Sequence, residues 1–365
     1  MTQAPAPPTP RPRARRRSRL GLALVLLALG LLAAELALRG MGSRVAKGPA
    51  TGELQKAFAA AGLLRTDPRP GLHYSNSPKR RVELSGRRTT HDGRGRRVTP
   101  GPFAQDAPAV VFLGDSTTYG LGVEDHETLP AQVAALLDGA IRPLNLGVPG
   151  YNTAQELALY RSEREQLDDA PLVVLLYFPN DSIDAWFWDE AHGVLYYDGL
   201  PLPAALKRSL RKSALYRAVA SAHARSQKAA GRLESERPQN MDKSMAALAQ
   251  LAQACRDDGR QLLVAHLPAF VSLDPYLGAG QVARLEAQCR ELGLPFIDLL
   301  DAYLAEREAT LAAKARRRKP IPDSARRHYL ERFWVLEGVD SHPNVEGYGI
   351  AAEALARAVA QQLGG

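Results

Sequence analysis

The chain has 365 residues, 45% of them hydrophobic, and a net charge of +8. That apolar content rules out disorder across most of the chain, and the length suits one large α/β domain with additions, or two domains. Six arginines fall within the first 19 residues with no acidic group among them, so most of the positive charge belongs to a tail and does not make a global nucleic-acid surface.

Residues 1–18 are rich in proline and arginine and read as a basic, disordered cytoplasmic tail. The run "LGLALVLLALGLLAAELAL", Leu20 to Leu38, follows directly. A basic flank and then a leucine-rich run is the pattern of a signal peptide or a signal anchor. Its full extent approaches the ~20 residues a span requires. With no small-x-small cleavage site ahead of a polar start, the expectation is an uncleaved transmembrane helix over 19–39. The tail then stays in the cytoplasm and the remainder lies outside. Glu35 falls at the outer boundary, with Arg39 as its i,i+4 partner. From 40 to 107 the chain is polar, basic and irregular. It includes "KRRVELSGRRTTHDGRGRR", whose Gly and Asp residues suit short hairpins. This stretch is expected to be a solvated juxtamembrane connector, or a cationic face for anionic lipid or polysaccharide.

Regular alternation begins near residue 108. Strands are expected at Ala109–Leu113, Pro143–Leu146, Leu172–Tyr177, Gln261–His266 and Pro295–Leu299. Helices are expected at Thr128–Leu137, Thr153–Gln166, Met241–Asp257, Gly280–Leu292 and Val345–Leu363, the last started by Pro343-Asn344. The basic run "KARRRK" near Lys314 reads as a solvated helix face. Strands alternating with helices imply a parallel sheet covered on both faces, with sites at the carboxyl ends of its strands. An insertion at about 182–240 breaks the rhythm. It carries Trp186, Phe187, Trp188, Tyr196 and Tyr197 and then a basic helical segment. These aromatics are either the small core of the insertion or a wall that stacks against substrate. Cys255 and Cys289 are each expected near a helix end, as buried free thiols rather than a bridge.

Four short stretches fall where loops should meet at one sheet edge: "GDS" at 114–116, "NLGVPGYNT" at 145–153, "FPND" at 178–181 and "GVDSHPN" at 338–344. A serine hydroxyl needs a base to become a nucleophile, and His342 can supply it. The imidazole needs a partner that holds its tautomer, and Asp340 is near in sequence. An oxyanion needs donors, which the N–H groups of Ser116 and Gly150 and the amide of Asn180 can provide. The other histidines show no metal-ligand spacing, so the expectation is no metal and no cofactor.

These blocks resemble the SGNH (GDSL-type) hydrolase family, whose serine, glycine, asparagine and histidine occur in this order. Ser116 in "FLGDSTTYG", Gly150 in "NLGVPGYNT", Asn180 in "FPND" and His342 in "DSHPNVEGYG" match it in turn. The resemblance covers about residues 108–363 around the insertion. It implies a three-layer α/β/α sandwich, a flavodoxin-like parallel sheet of about five strands, and ester hydrolysis through an acyl-serine. Two positions depart from the family's pattern. Phe178 stands where the family has glycine. Val339 stands where the family has its acid, which leaves Asp340, Glu337 or a backbone carbonyl to orient His342. The expected activity is a serine esterase acting on O-acetyl or other carboxylic esters of a cell-envelope carbohydrate or a small molecule, with Trp186, Trp188 and Tyr196 at the substrate. An O-acyltransferase and a non-catalytic carbohydrate-binding protein are the alternatives.

Overall fold

In the computed structural model of the protein, the described residues are 14–40, 57–58, 60–84, 86–167, 170–183, 186–189, 194–197, 200, 202, 206, 210, 213–229, 238–270, 276, 278–316, 332–336 and 340–364. In chain order the helices are α1 (Ala14–Gly40), α2 (Ser116–Tyr119), α3 (Leu129–Leu136), α4 (Thr153–Glu163), α5 (Ala214–Ala229), α6 (Pro238–Asp257), α7 (Ala279–Leu292), α8 (Leu300–Arg316) and α9 (Val345–Gly364). The chain divides into two compact units, residues 1–48 with 200–223, and residues 49–199 with 224–365.

In the first unit, α1 leaves Val25, Leu26, Leu27, Leu29, Leu32 and Leu36 more than half exposed. Arg39 Nε donates to Glu35 at 2.7 Å, the i,i+4 pair its spacing predicts. Glu35 also accepts from Ser213 Oγ at 2.8 Å and from the N–H groups of Ala214 and Leu215 at 2.9 Å each. A carboxylate thus satisfies orphan donors at the start of α5. Among the described residues no helix is long and apolar enough to cross a membrane.

The second unit opens with two antiparallel ribbons, β1 (Leu64–Thr66) with β2 (Tyr74–Asn76), and β3 (Arg81–Leu84) with β4 (Arg87–Thr90). The main sheet contains β5 (Ala109–Gly114), β6 (Arg142–Asn145), β7 (Leu172–Tyr177), β10 (Gln261–His266) and β11 (Phe296–Asp298). Its order is β11-β10-β7-β5-β6, with every neighbouring pair parallel. Counted within the sheet this is the 2-1-3-4-5 order, which reverses between β5 and β7. Every residue of β5 and β7 is buried, as continuous apolar runs covered on two faces require. Val111, Leu113, Val173 and Leu175 face one core with Tyr160 of α4, Leu248 of α6 and Leu285 of α7. Val110, Phe112, Val174 and Leu176 face the other with Val133 of α3, Tyr303 of α8 and Leu355 of α9. The three layers and five parallel strands are those the alternation predicts. The helix α8 was not among the expected elements, and the "KARRRK" side chains lie outside the described residues.

Residues 57–107 depart from the expected solvated connector. Phe58, Leu63, Leu64, Leu72, Tyr74 and Leu84 are buried in the same core as Val111 and Val173. Composition misleads here because the charges are matched by partners elsewhere. Arg97 is fully buried against Asp125 at 3.0 Å. Arg69 pairs with Asp67 at 2.7 Å and Glu163 at 2.8 Å.

In the insertion, β8 (Trp186–Asp189) pairs antiparallel with β9 (Val194–Tyr197), apart from the main sheet. The side chains of Trp186, Phe187, Trp188, Tyr196 and Tyr197 lie outside the described residues. Cys255 and Cys289 are free and buried. Burial pushes each thiol up to about 12.

Candidate active site

The β5 strand ends at Gly114, and the chain turns at once into the single turn α2. A Cβ at position 114 would lie 2.0 Å from Thr118 Oγ1 and 2.9 Å from the Leu176 carbonyl oxygen, so only glycine permits the turn. Asp115 Oδ1 accepts from Thr117 N–H and Thr117 Oγ1, each at 2.8 Å, and caps the turn. Gly120 closes it in the left-handed region, at φ 80°. Ser116 is therefore displayed at the carboxyl end of β5, beside the point where the sheet order reverses.

His342 arrives on a separate ribbon, β12 (Trp334–Leu336) against β13 (Asp340–Pro343). Asn344 ends that ribbon and caps α9, its Oδ1 accepting from Gly347 N–H at 3.0 Å while its own N–H donates to the Phe333 carbonyl at 2.7 Å. Tyr348, one turn into α9, donates to the Thr117 carbonyl at 2.8 Å and ties that helix to the serine turn. The result is a contact of 2.8 Å between His342 Nε2 and Ser116 Oγ. Ser116 Oγ also lies 3.2 Å from Asp115 Oδ2, and its one proton goes to the closer nitrogen when that nitrogen is unprotonated. The side chain of Asp340, and Glu337 and Val339 entirely, lie outside the described residues.

Gly150 follows β6 and Asn180 follows β7, the two neighbours of β5 in the sheet. Gly147 sits directly on the serine turn, since a Cβ there would lie 2.3 Å from Tyr119 N. Gly150 has φ 80°. Asn180 Nδ2 donates to Asp115 Oδ2 at 2.8 Å, so one carboxylate organises both the serine turn and the asparagine. Phe178 packs at the edge of the α9-side core, and its N–H donates to Asp181 Oδ2 at 2.9 Å.

Behind this edge lie buried acids. Glu156 and Asp181 are nearly inaccessible, and among the described residues neither oxygen of Glu156 nor Oδ1 of Asp181 has a hydrogen-bond partner. Burial, then Asp115, pushes the Glu156 carboxyl well above the usual carboxylate range. Burial, then Glu156 and Asp115, raises Asp181 likewise. Two supports of the site went unread in the sequence. His91 Nδ1 lies 2.7 Å from the Ser77 carbonyl, and its Nε2 lies 2.7 Å from the Tyr119 hydroxyl. Arg97 donates to the Val123 carbonyl at 2.8 Å and lies 4.9 Å from the Tyr119 ring centre. Nothing in "GRRTTHDGRGRR", a segment dominated by charge, announces either of them. Among the described residues no group of His, Cys, Asp and Glu could hold a metal ion.

A serine hydroxyl against an imidazole, beside backbone and amide donors, is an arrangement suited to acyl transfer. The profile of the GDSL-like Lipase/Acylhydrolase family matches residues 112–350. No curated protein matches the chain. Among solved structures, an acetyl xylan esterase is 14% identical, with TM-score 0.42 over 69% of this chain and 99% of its own. A carbohydrate acetylesterase family member from Sinorhizobium meliloti is 12% identical, with TM-score 0.39 over 70% and 99%. A GDSL-like lipase from Bacteroides thetaiotaomicron is 16% identical, with TM-score 0.39 over 73% and 92%. The chain belongs to the GDSL-like lipase/acylhydrolase family and is an ester-bond hydrolase.

Proposed function

We propose that the chain is a serine esterase that removes O-acetyl groups from a cell-envelope carbohydrate through an acyl-serine. The observation that carries this reading is the 2.8 Å contact between His342 Nε2 and Ser116 Oγ at the carboxyl edge of the sheet. His342 takes the Ser116 proton as the hydroxyl attacks the ester carbonyl. The N–H groups of Ser116 and Gly150 and the amide of Asn180 receive the oxyanion. The alcohol leaves with the proton from His342, and water then releases the acyl group by the reverse sequence. Asp340, two residues before His342 on β13, is the acid assigned to orient the imidazole.

The envelope location rests on the sequence alone, where an arginine tail followed by a leucine run is the pattern of a signal peptide or signal anchor that leaves the hydrolase outside the cytoplasm. The exposed leucines of α1 suit a lipid surround. The aromatic insertion that follows Asn180 in sequence, with Trp186, Trp188 and Tyr196, is assigned to the sugar. Acetate release from an acetylated polysaccharide tests the reading. Wild type should release acetate and Ser116→Ala should not. Release of longer acyl chains in preference to acetate would overturn the substrate assignment. Protection of the hydrolase from external protease in intact spheroplasts would overturn the location.

A further inference from the structure

The loop that carries Gly150 is gripped from outside the region matched by the family profile. Tyr74 on β2 donates its hydroxyl to the Pro149 carbonyl at 2.8 Å. Asn76, two residues on, donates Nδ2 to the Gly147 carbonyl at 2.9 Å. Tyr151 closes the circuit by donating its hydroxyl to the Tyr74 carbonyl. Tyr74, Asn76 and Tyr151 are all buried. Burial, then Tyr151 and Asp115, holds the Tyr74 phenol well above its ordinary value, so the hydroxyl remains a donor.

The grip falls on a peptide that has two stable orientations. Tyr151 N–H bonds to the Val148 carbonyl at 3.1 Å, which makes Val148–Tyr151 a β-turn with Pro149 and Gly150 at its centre. Proline fixes its own φ near about −65°, which both common turn types accept at this position. Gly150 has φ 80°, the type II value for the next position. Type I differs from type II by a half-turn of the central peptide, the one joining Pro149 to Gly150. That peptide is planar and trans, so its C=O and N–H point in opposite directions. Holding the Pro149 carbonyl against Tyr74 therefore fixes where the Gly150 N–H points. Among the described residues that N–H has no hydrogen-bond partner.

We infer that Tyr74 is a positioning residue for ester hydrolysis: by donating to the Pro149 carbonyl it selects the turn in which the Gly150 N–H faces the oxyanion. The inference rests on the acyl-serine reading above. Without the hydroxyl, the type I form becomes accessible and its Gly150 N–H points away. The segment before residue 108 is then part of the catalytic apparatus as well as of the core.

The test is Tyr74→Phe in the full chain, which keeps the ring in its place. Tyr160→Phe is the control, because Tyr160 is also buried and donates to Asp258 Oδ2 at 2.6 Å, away from the loop. Tyr74→Phe should lower kcat, and the rate at which an ethyl phosphonate probe modifies Ser116, by about tenfold, with KM within roughly twofold. Tyr160→Phe should leave both rates unchanged. With [15N]glycine labelling, the Gly150 amide of the unliganded chain should shift and exchange faster in Tyr74→Phe alone. A reactive wild type with an equally reactive Tyr74→Phe variant overturns the inference and leaves the hydrolase reading standing. An unchanged Gly150 amide overturns it even if Tyr74→Phe is slow. An unreactive wild type is a different result, which overturns the hydrolase reading and the oxyanion role together.

Discussion

Ser116 Oγ and His342 Nε2 lie 2.8 Å apart although 226 positions separate them in the chain. Two unrelated local devices produce that contact. Gly114 lets β5 fold back into a capped turn that displays the serine. The β12–β13 ribbon, ended by the Asn344 cap of α9, delivers the imidazole. Tyr348 then locks the two together through the Thr117 carbonyl. The geometry thus depends on the core as much as on the loops.

The Arg97–Asp125 pair gives the first prediction. Both side chains are buried, and Asp125 Oδ1 also accepts from Thr90 N–H at 2.9 Å. Removing the guanidinium leaves the buried carboxylate only the exposed Arg88 guanidinium, 3.5 Å from its Oδ2, as counter-charge. Arg97→Met should cost about 3–5 kcal/mol in urea denaturation. A loss under ~1 kcal/mol, as for an exposed pair, would show that residues 57–107 do not belong to the cooperative core.

His91 should make the fold acid-sensitive. Burial, reinforced by the Arg97 charge, lowers its imidazole to about 4. The unfolded chain then binds a proton near pH 6.5 that the folded chain refuses until about pH 4. Stability is full above pH 6.5 and is lost as pH falls through that window, by roughly 3 kcal/mol. His91→Asn keeps a donor toward the Ser77 carbonyl and cannot titrate there. Its denaturation midpoint should vary less between pH 7 and 4 than that of wild type, and a parallel pair of curves would contradict this.

Glu156 has the opposite sign. Its folded value lies above its unfolded one, so the folded chain holds the extra proton and stability is lost as pH rises. Glu156→Gln replaces a carboxyl that burial keeps neutral with a neutral amide of similar shape. The variant should match wild type near pH 4 and exceed it increasingly as pH rises to 8. Destabilisation that grows with pH would show that Glu156 is ionised and paired.

Much of this was legible in the sequence. Leu172–Tyr177 and Gln261–His266 are apolar runs whose burial on both faces fixes them as central strands, and the structure starts and ends them where the pattern does. The loops bearing Ser116, Gly150 and Asn180 follow three adjacent strands, so parallel topology alone brings them to one edge. What composition hid was the ribbon segment. Tyr74, Asn76, His91 and Arg97 sit among basic residues that read as solvated. Their acceptors are backbone carbonyls such as those of Pro149, Gly147, Ser77 and Val123. Those of Tyr74 and Asn76 lie 75 and 71 positions away. No local periodicity announces a donor whose acceptor is fixed by tertiary structure. The helix α8 has the same cause: Leu300, Tyr303 and Leu304 pack against the core, but they are set among charged residues of 298–308.

The central claim is that Ser116 is the nucleophile and His342 its base. An ethyl phosphonate probe followed by intact-mass and peptide analysis tests it most directly. The account predicts one adduct per wild-type chain, on Ser116, none on Ser116→Ala, and modification slowed at least ~10³-fold in His342→Ala. No adduct on wild type between pH 6 and 9, or an adduct that persists in Ser116→Ala, would contradict it.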